Sequence, residues 1–166
     1  LEALASSRIR DIWIIGRRGP VQAAFTPMEA RELMHLPDTE VVLEPDALDL
    51  DSASRRYLEE EAGKDVRKNI ELLKSMLETP AQDKKKRLHI LFLASPVEAI
   101  GQNGRVSGLK LTRNRLVPRP DGSIREKATD RTLELETGLL FRSVGYRGEP
   151  LPGVPFNDAS GTIPNE

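Results

Sequence analysis

The sequence has 166 residues, enough for one domain with a single hydrophobic core. Its 38% apolar and 31% charged residues exclude a disordered chain, and no apolar run approaches the roughly 20 residues that a membrane-spanning helix needs. With 25 basic and 26 acidic residues and no cysteine, the composition argues against a general affinity for nucleic acid and excludes disulfides and thiolate chemistry within this segment.

Three short apolar runs in the first 93 residues are typical of β-strands. Asp11–Ile15 is rich in β-branched residues and predicts a strand buried on both faces, with Trp13 packed in the core. Glu40–Leu43 predicts a second strand, and Leu88–Leu93 predicts another buried one. A buried sheet of this kind is expected to be parallel and covered by helices.

Two helices are expected between these strands. The first begins with Thr26 as the N-cap, Pro27 in the first turn and Glu29 completing a capping box, and it ends before Pro37. A single long helix is predicted from apolar residues at helical spacing, namely Leu58, Ala62, Val66, Ile70, Leu73 and Leu77.

The second half of the sequence changes character. Turn signals at Asn103-Gly104 and Pro120-Asp121-Gly122 predict an antiparallel meander of about three strands over Val97–Leu135. Gly138–Val144 is expected to return to the main sheet as an apolar strand, and the Pro- and Gly-rich tail from residue 149 is expected to be an extended loop.

These elements predict an α/β fold, a Rossmann-like parallel sheet flanked by helices with an inserted antiparallel β-meander. The dinucleotide-binding domain is expected to be incomplete, because no Gly-x-Gly-x-x-Gly motif occurs in the sequence. Residues 1–148 would form the partial domain, with the meander at about 97–135. Residues 149–166 would lead towards another domain of a longer protein.

Two arginines lie where such a fold binds its ligand. Arg17 and Arg18 directly follow Gly16 at the end of the first predicted strand. In a dinucleotide-binding unit, arginine near this position accommodates the 2′-phosphate of NADP, and a guanidinium can bind phosphate through paired donors. From spacing alone, a solvated basic turn is the more common explanation of two loop arginines.

A resemblance changes that balance. The stretch Gly16–Thr26 closely resembles the NADP-site motif of the adrenodoxin reductase-like ferredoxin–NADP reductases. Supporting segments span nearly the whole chain in the same order: Glu29–Leu33, Ser95-Pro96, Ser143–Arg147 and Pro152–Phe156. The resemblance implies a flavoprotein oxidoreductase that uses FAD and NADP.

The same resemblance implies roles for individual residues. Arg17 and Arg18 would bind the adenosine 2′-phosphate, and Glu29 would belong to the NADP site. The capping box alone also accounts for Glu29, and the two roles are compatible. The glycine-rich phosphate loop and the FAD-binding domain would lie outside these residues, so we assign no catalytic residue and no metal ligand.

The resemblance also implies an acidic iron–sulfur partner of the ferredoxin type, docked on a basic surface. Arg31 is the preferred candidate, ahead of Lys64, Arg67 and Lys68, while the Lys84–Arg87 run is best explained as a solvated turn. No nucleic-acid or membrane partner is expected, and a cytoplasmic location is preferred to the mitochondrial matrix. Alternatives left open are a glutamate synthase small-subunit type of oxidoreductase and a stand-alone module that binds a phosphorylated ligand or a protein.

Overall fold

The computed structural model describes residues 6–120, 122–143 and 148–164. These residues form two three-stranded sheets, three α-helices and a 3₁₀ turn at Pro20–Gln22. In chain order the elements are β1 (Asp11–Ile15), α1 (Pro27–Met34), β2 (Thr39–Leu43), α2 (Ser52–Glu60), α3 (Lys64–Glu78), β3 (Lys86–Leu91), β4 (Ala94–Gln102), β5 (Arg105–Pro118) and β6 (Ile124–Glu136).

The first sheet is parallel, with β3 between β1 and β2. Apolar residues of β3 and the residue after it pack against helices α1 and α3. The predicted α/β architecture with a parallel sheet is therefore confirmed, and its strands lie close to their predicted bounds. The buried members of this core are Ala30, Leu73, Met76, Ile90 and Phe92.

The predicted burial of β1 is wrong. Ile12 and Ile14 are 43% and 44% exposed, because in the described part of the chain β1 contributes no residue to the core that the other two strands form with the helices. Trp13 is also 38% exposed, and its ring stacks on His89 with centroids 4.0 Å apart. A continuous apolar run indicates a strand but does not say where in the sheet that strand lies.

The ring of His89 is held from two sides. Its Nε2 lies 2.8 Å from Asp11 Oδ1, while Trp13 covers the ring face. The hydrogen bond from His89, together with Arg87, holds the pKa of Asp11 below its ordinary value despite an opposing effect of burial. His89 is therefore a packed residue of the sheet, held by Asp11 and Trp13.

The single long helix predicted after residue 51 is two helices, α2 and α3, separated at Gly63. Asp51 caps α2 by accepting from Ala53 N and Ser54 N, both at 3.0 Å. At the C-terminal end of α2, the Arg67 guanidinium donates to the carbonyls of Ala62 at 3.0 Å and Glu59 at 2.9 Å. Apolar spacing continues across the break, so Gly63 was the one signal that marked it.

The predicted meander is confirmed as the antiparallel sheet β4–β5–β6. It starts three residues earlier than expected, because β4 begins at Ala94, directly after β3. Asn103 and Gly104 form the first turn with φ of 52° and 74°, the left-handed region that a two-residue hairpin requires. Asp121, in the second turn, lies outside the described residues.

The strand predicted at Gly138–Val144 is absent from residues 138–143, and Val144 lies outside the described residues. A strand needs a neighbour to receive its backbone hydrogen bonds, and no described strand pairs with this segment. Leu139 and Phe141 are accordingly 56% and 81% exposed. The tail from residue 148 to 164 is irregular, as expected, apart from a bridge between Asn157 and Thr162.

The two sheets meet where β3 passes into β4. Leu93 occupies the left-handed region there, with φ of 54°, and reverses the chain towards the second sheet. A small core seals the junction, and Ile15 at the end of β1 packs against it. The end of β1 is therefore enclosed by the inserted sheet. The buried residues of this junction core are Leu91, Ala94, Leu109 and Leu111.

Candidate nucleotide site at the carboxyl end of β1

The loop after β1 is fixed by hydrogen bonds from the junction of the two sheets. Gly16 N donates to Leu91 O at 2.8 Å, which extends the β1–β3 pairing by one residue. The carbonyl of Gly16 then accepts from Ala94 N, and that of Arg18 accepts from Leu93 N, each at 3.1 Å. The loop backbone is therefore tied to the inserted sheet at both ends of the arginine pair.

A third bond ties the middle of the loop. The side-chain amide of Asn114, on β5, donates to the carbonyl of Arg17 at 2.8 Å and to Ser95 Oγ at 2.8 Å. Asn114 is only 8% exposed, so this amide is shielded from water and its bonds are satisfied within the protein. Consequently, three consecutive carbonyls of the loop, those of Gly16, Arg17 and Arg18, each accept a hydrogen bond.

The side chains of Arg17 and Arg18 remain at the surface. Arg17 Nη1 lies 3.3 Å from Glu126 Oε1 on β6, with 67% of the arginine side chain and 26% of the glutamate side chain exposed. An exposed ion pair of this kind is weak, because water and salt screen it. Arg17 and Arg18 are therefore both exposed to solvent, and Arg17 has one weak ion-pair partner, Glu126.

Close packing explains the glycine that ends the loop. A Cβ atom added at Gly19 would lie 3.0 Å from Gln22 Oε1 and 3.4 Å from Leu116 Cδ1. Pro20 and Val21 follow as a buried 3₁₀ turn. Gln22 Nε2 continues the chain of contacts by donating to Ser54 Oγ at 3.1 Å. The loop is thus packed between the inserted sheet and helix α2.

Glu29 forms the predicted capping box, which is confirmed. Its Oε2 accepts from Thr26 N at 2.7 Å and Thr26 Oγ1 at 2.9 Å, while Thr26 Oγ1 accepts from Glu29 N at 3.2 Å. The hydrogen bonds from Thr26 lower the pKa of the Glu29 carboxyl. No ion pair joins Glu29 to Arg17 or Arg18 in the part of the chain that the structure describes, so its place in a nucleotide site stays a prediction.

The basic residues considered as docking candidates differ in what they already bind. The Arg67 guanidinium and the Lys84 ammonium donate to backbone carbonyls, and Arg87 pairs with Asp11 at 2.9 Å. Arg31 is exposed on α1. Arg67, Lys84 and Arg87 therefore have partners within the protein, and Lys64 and Lys68 are exposed on α3 as Arg31 is on α1.

A cleft of about 230 Å³ opens beside the loop, at the carboxyl ends of β2 and β3. Gly19 and Asn114 line one side, and the acidic segment after β2 lines the other. Arg113 spans the cleft with a two-pronged ion pair to Glu44, which raises the pKa of Arg113. The cleft lining carries four carboxylates, those of Glu44, Asp46, Asp49 and Asp51, against two guanidinium groups, those of Arg113 and Arg115, so it is net acidic.

Sequence reasoning missed Asn114 and Glu126. Asn114 is 97 positions away from the carbonyl that it binds, and it stands in a strand with no local motif. Only the register of β5 and the position of the inserted sheet bring either residue to the loop. Within the described residues, no cluster of potential ligands could hold a metal ion, and no helix is long and apolar enough to cross a bilayer.

No family model matches the chain, but individual proteins do. NADPH-ferredoxin reductase FprA of Mycobacterium tuberculosis is 42% identical over 168 residues, covering 99% of this chain and 35% of that protein. The mitochondrial NADPH:adrenodoxin oxidoreductase of Rattus norvegicus is 36% identical over 181 residues, with 99% and 35% covered.

A solved structure gives the same result for the fold. Mycobacterium tuberculosis FprA in complex with NADPH superposes with a TM-score of 0.83 at 41% identity, covering 95% of this chain and 34% of that one. The chain therefore spans about a third of the length of the relatives it matches. The expected resemblance is confirmed in both sequence and fold: this chain is homologous to one segment of the FprA and adrenodoxin reductases.

Proposed function

We propose that this chain is the NADP-binding segment of a flavin-dependent ferredoxin–NADP reductase. The observation that carries the proposal is the loop after β1, whose three consecutive carbonyls are held while two arginine side chains stay exposed. Because the backbone of the loop is held, only the two exposed side chains have to be ordered when a phosphate binds. The similarity to a protein whose structure was solved with NADPH supports the same assignment.

Within this proposal, Arg17 and Arg18 bind the 2′-phosphate of NADP through charge-assisted hydrogen bonds. They distinguish NADP from NAD, which has a 2′-hydroxyl at that place. FAD, held by parts of the protein outside this chain, supplies the chemistry that moves electrons from NADPH to an iron–sulfur protein. Residues 1–148 would make up the partial NADP-binding domain, and residues 149–166 would connect it to the flavin domain.

The partner surface is a second part of the proposal. We place the docking site for an acidic ferredoxin-like protein near Arg31, which is exposed on α1. Basic surfaces speed the encounter with acidic partners more than they strengthen the final complex. A cytoplasmic location is part of the same inference.

Nucleotide titration tests the proposal directly. In the protein that contains this chain, we expect NADPH to bind at least about tenfold more tightly than NADH, because only NADPH offers the guanidinium groups a phosphate. Raising the salt concentration should weaken NADPH binding more than NADH binding, because the extra contacts are ionic and exposed. Equal affinities for the two nucleotides at low salt would instead favour a module that recognises some other ligand.

A pair of substitutions at Glu29 separates its two roles. Glutamine at the third helical position still completes a capping box but lacks the charge that strengthens it, so at neutral pH Glu29→Gln should lower the melting temperature slightly and Glu29→Ala should lower it more. We expect Glu29→Gln to weaken NADPH binding severalfold, because it removes the carboxylate that would orient the ribose or an arginine. Unchanged affinity in both variants would leave Glu29 as a cap alone.

The cap also predicts a pH dependence. Because the folded protein lowers the pKa of Glu29, its contribution to stability is present at neutral pH and is lost as the pH falls through that lowered pKa. Glu29→Gln should remove this part of the acid sensitivity. Thermal melts of the two proteins from neutral to acidic pH measure the difference.

A further inference from the structure

We propose that the inserted antiparallel sheet is part of the nucleotide site, and that Asn114 is its positioning residue for Arg17 and Arg18. The inference rests on the proposed NADP-binding function and adds to it a determinant of nucleotide specificity. Asn114 would not touch the nucleotide. It would act by fixing the backbone from which the two arginines extend.

The geometry of the Asn114 amide supports this role. Its two donor bonds, to the Arg17 carbonyl and to Ser95 Oγ, are both 2.8 Å long, and two acceptors fix the plane of the amide. The Arg17 carbonyl belongs to the peptide unit that joins Arg17 to Arg18. Fixing that unit therefore sets the directions in which both side chains leave the backbone.

Asn114 also supports the neighbouring bond of the loop. Its backbone N donates to Leu93 O at 2.7 Å, and Leu93 N donates to Arg18 O at 3.1 Å. Leu93 has a φ of 54°, a conformation that costs a non-glycine residue energy and persists only when its surroundings hold it. One buried residue thus holds the carbonyl of Arg17 directly and that of Arg18 through Leu93.

This arrangement predicts a selective defect. With Asn114→Leu, the Arg17 carbonyl loses its buried donor and the arginine loop can shift. A small displacement of a positioning group is enough to reduce NADPH affinity by about tenfold, while NADH affinity should stay within about twofold. Both dissociation constants are measured in the protein that contains this chain, together with the melting temperature. If the leucine variant does not fold, Asn114→Ala removes the amide without adding volume.

A nearby substitution provides the matched control. Thr112 is two residues from Asn114 on the same strand, and its hydroxyl donates to the carbonyls of Thr129 at 3.0 Å and Arg131 at 3.3 Å, away from the arginine loop. Thr112→Val should destabilise the inserted sheet without altering the ratio of NADPH to NADH affinity. If Asn114→Leu also leaves that ratio unchanged, Asn114 is merely structural and the inference is overturned.

A double-mutant cycle shows whether Asn114 acts through Arg17. In an Arg17→Ala background, Asn114→Leu should cause much less additional loss of NADPH affinity than in the unmodified protein. Full additivity would contradict the inference. The cycle also separates the two proposals. If Arg17→Ala itself leaves the NADPH-to-NADH ratio unchanged, the proposed function fails, whereas a normal Arg17 effect with a silent Asn114 variant removes only this inference.

Discussion

Replacing Arg17 and Arg18 together by alanine is expected to abolish the preference for NADPH over NADH in the protein that contains this chain. Each charged phosphate contact contributes about 1.5–3 kcal/mol, so losing both should weaken NADPH binding by about 150-fold to 20,000-fold. The lower end is favoured for Arg17, because its exposed pair with Glu126 must be broken when phosphate binds. NADH affinity should hardly change, since NADH lacks the phosphate.

The control for this experiment removes the same charge from the same region. Arg105 on β5 and Arg125 on β6 are exposed arginines of the inserted sheet that do not line the cleft, and alanine at both lowers the net charge by the same two units. This control should reduce NADPH binding only through weak, salt-screened attraction. A double Arg17/Arg18 variant that lost NADPH and NADH affinity equally would show that the arginines support the fold of the site without reading the phosphate.

The sequence predicted the fold class better than it predicted which strands are buried and which segments pair. Strands and helices were recognisable because their periodicity and caps are local, as with the Thr26–Glu29 capping box that the structure contains. The burial of β1 and the strand at Gly138–Val144 were wrong for one physical reason. Each depends on the elements that pack against the segment. Apolar character alone supplies neither a covering helix nor a neighbouring strand.

The candidate site divides in a similar way. The position of Arg17 and Arg18 at a strand end could be predicted from local signals, whereas their role was predicted from the resemblance of Gly16–Thr26 to a known motif. Asn114 and Glu126 could not be predicted as parts of the site. The register of β5 and β6 and the packing of the inserted sheet against the first sheet bring them to the loop, and neither is a local signal. The sequence did not reveal which residues hold the arginine loop, because those residues are Leu93, Ala94 and Asn114, all more than 70 positions along the chain.

That support depends on the junction core, which predicts a large stability effect at Leu111. This side chain is fully buried between the sheets, next to Leu91 and Leu109. Leu111→Ala should lower the free energy of unfolding by about 2–5 kcal/mol, because it removes buried methyl groups and leaves a cavity that the surrounding strands fill only in part. Urea unfolding followed by the fluorescence of Trp13, the only tryptophan of the chain, measures the change.

Two substitutions make that measurement specific. Leu111→Met nearly conserves volume and should cost less than about 1.5 kcal/mol, while Val97→Ala, at a position 59% exposed on β4, should change stability by less than about 0.5 kcal/mol. A loss below about 1 kcal/mol for Leu111→Ala would mean that the sheets are not joined through this core. The arginine loop would then lack the rigid base on which its selectivity for a phosphate depends.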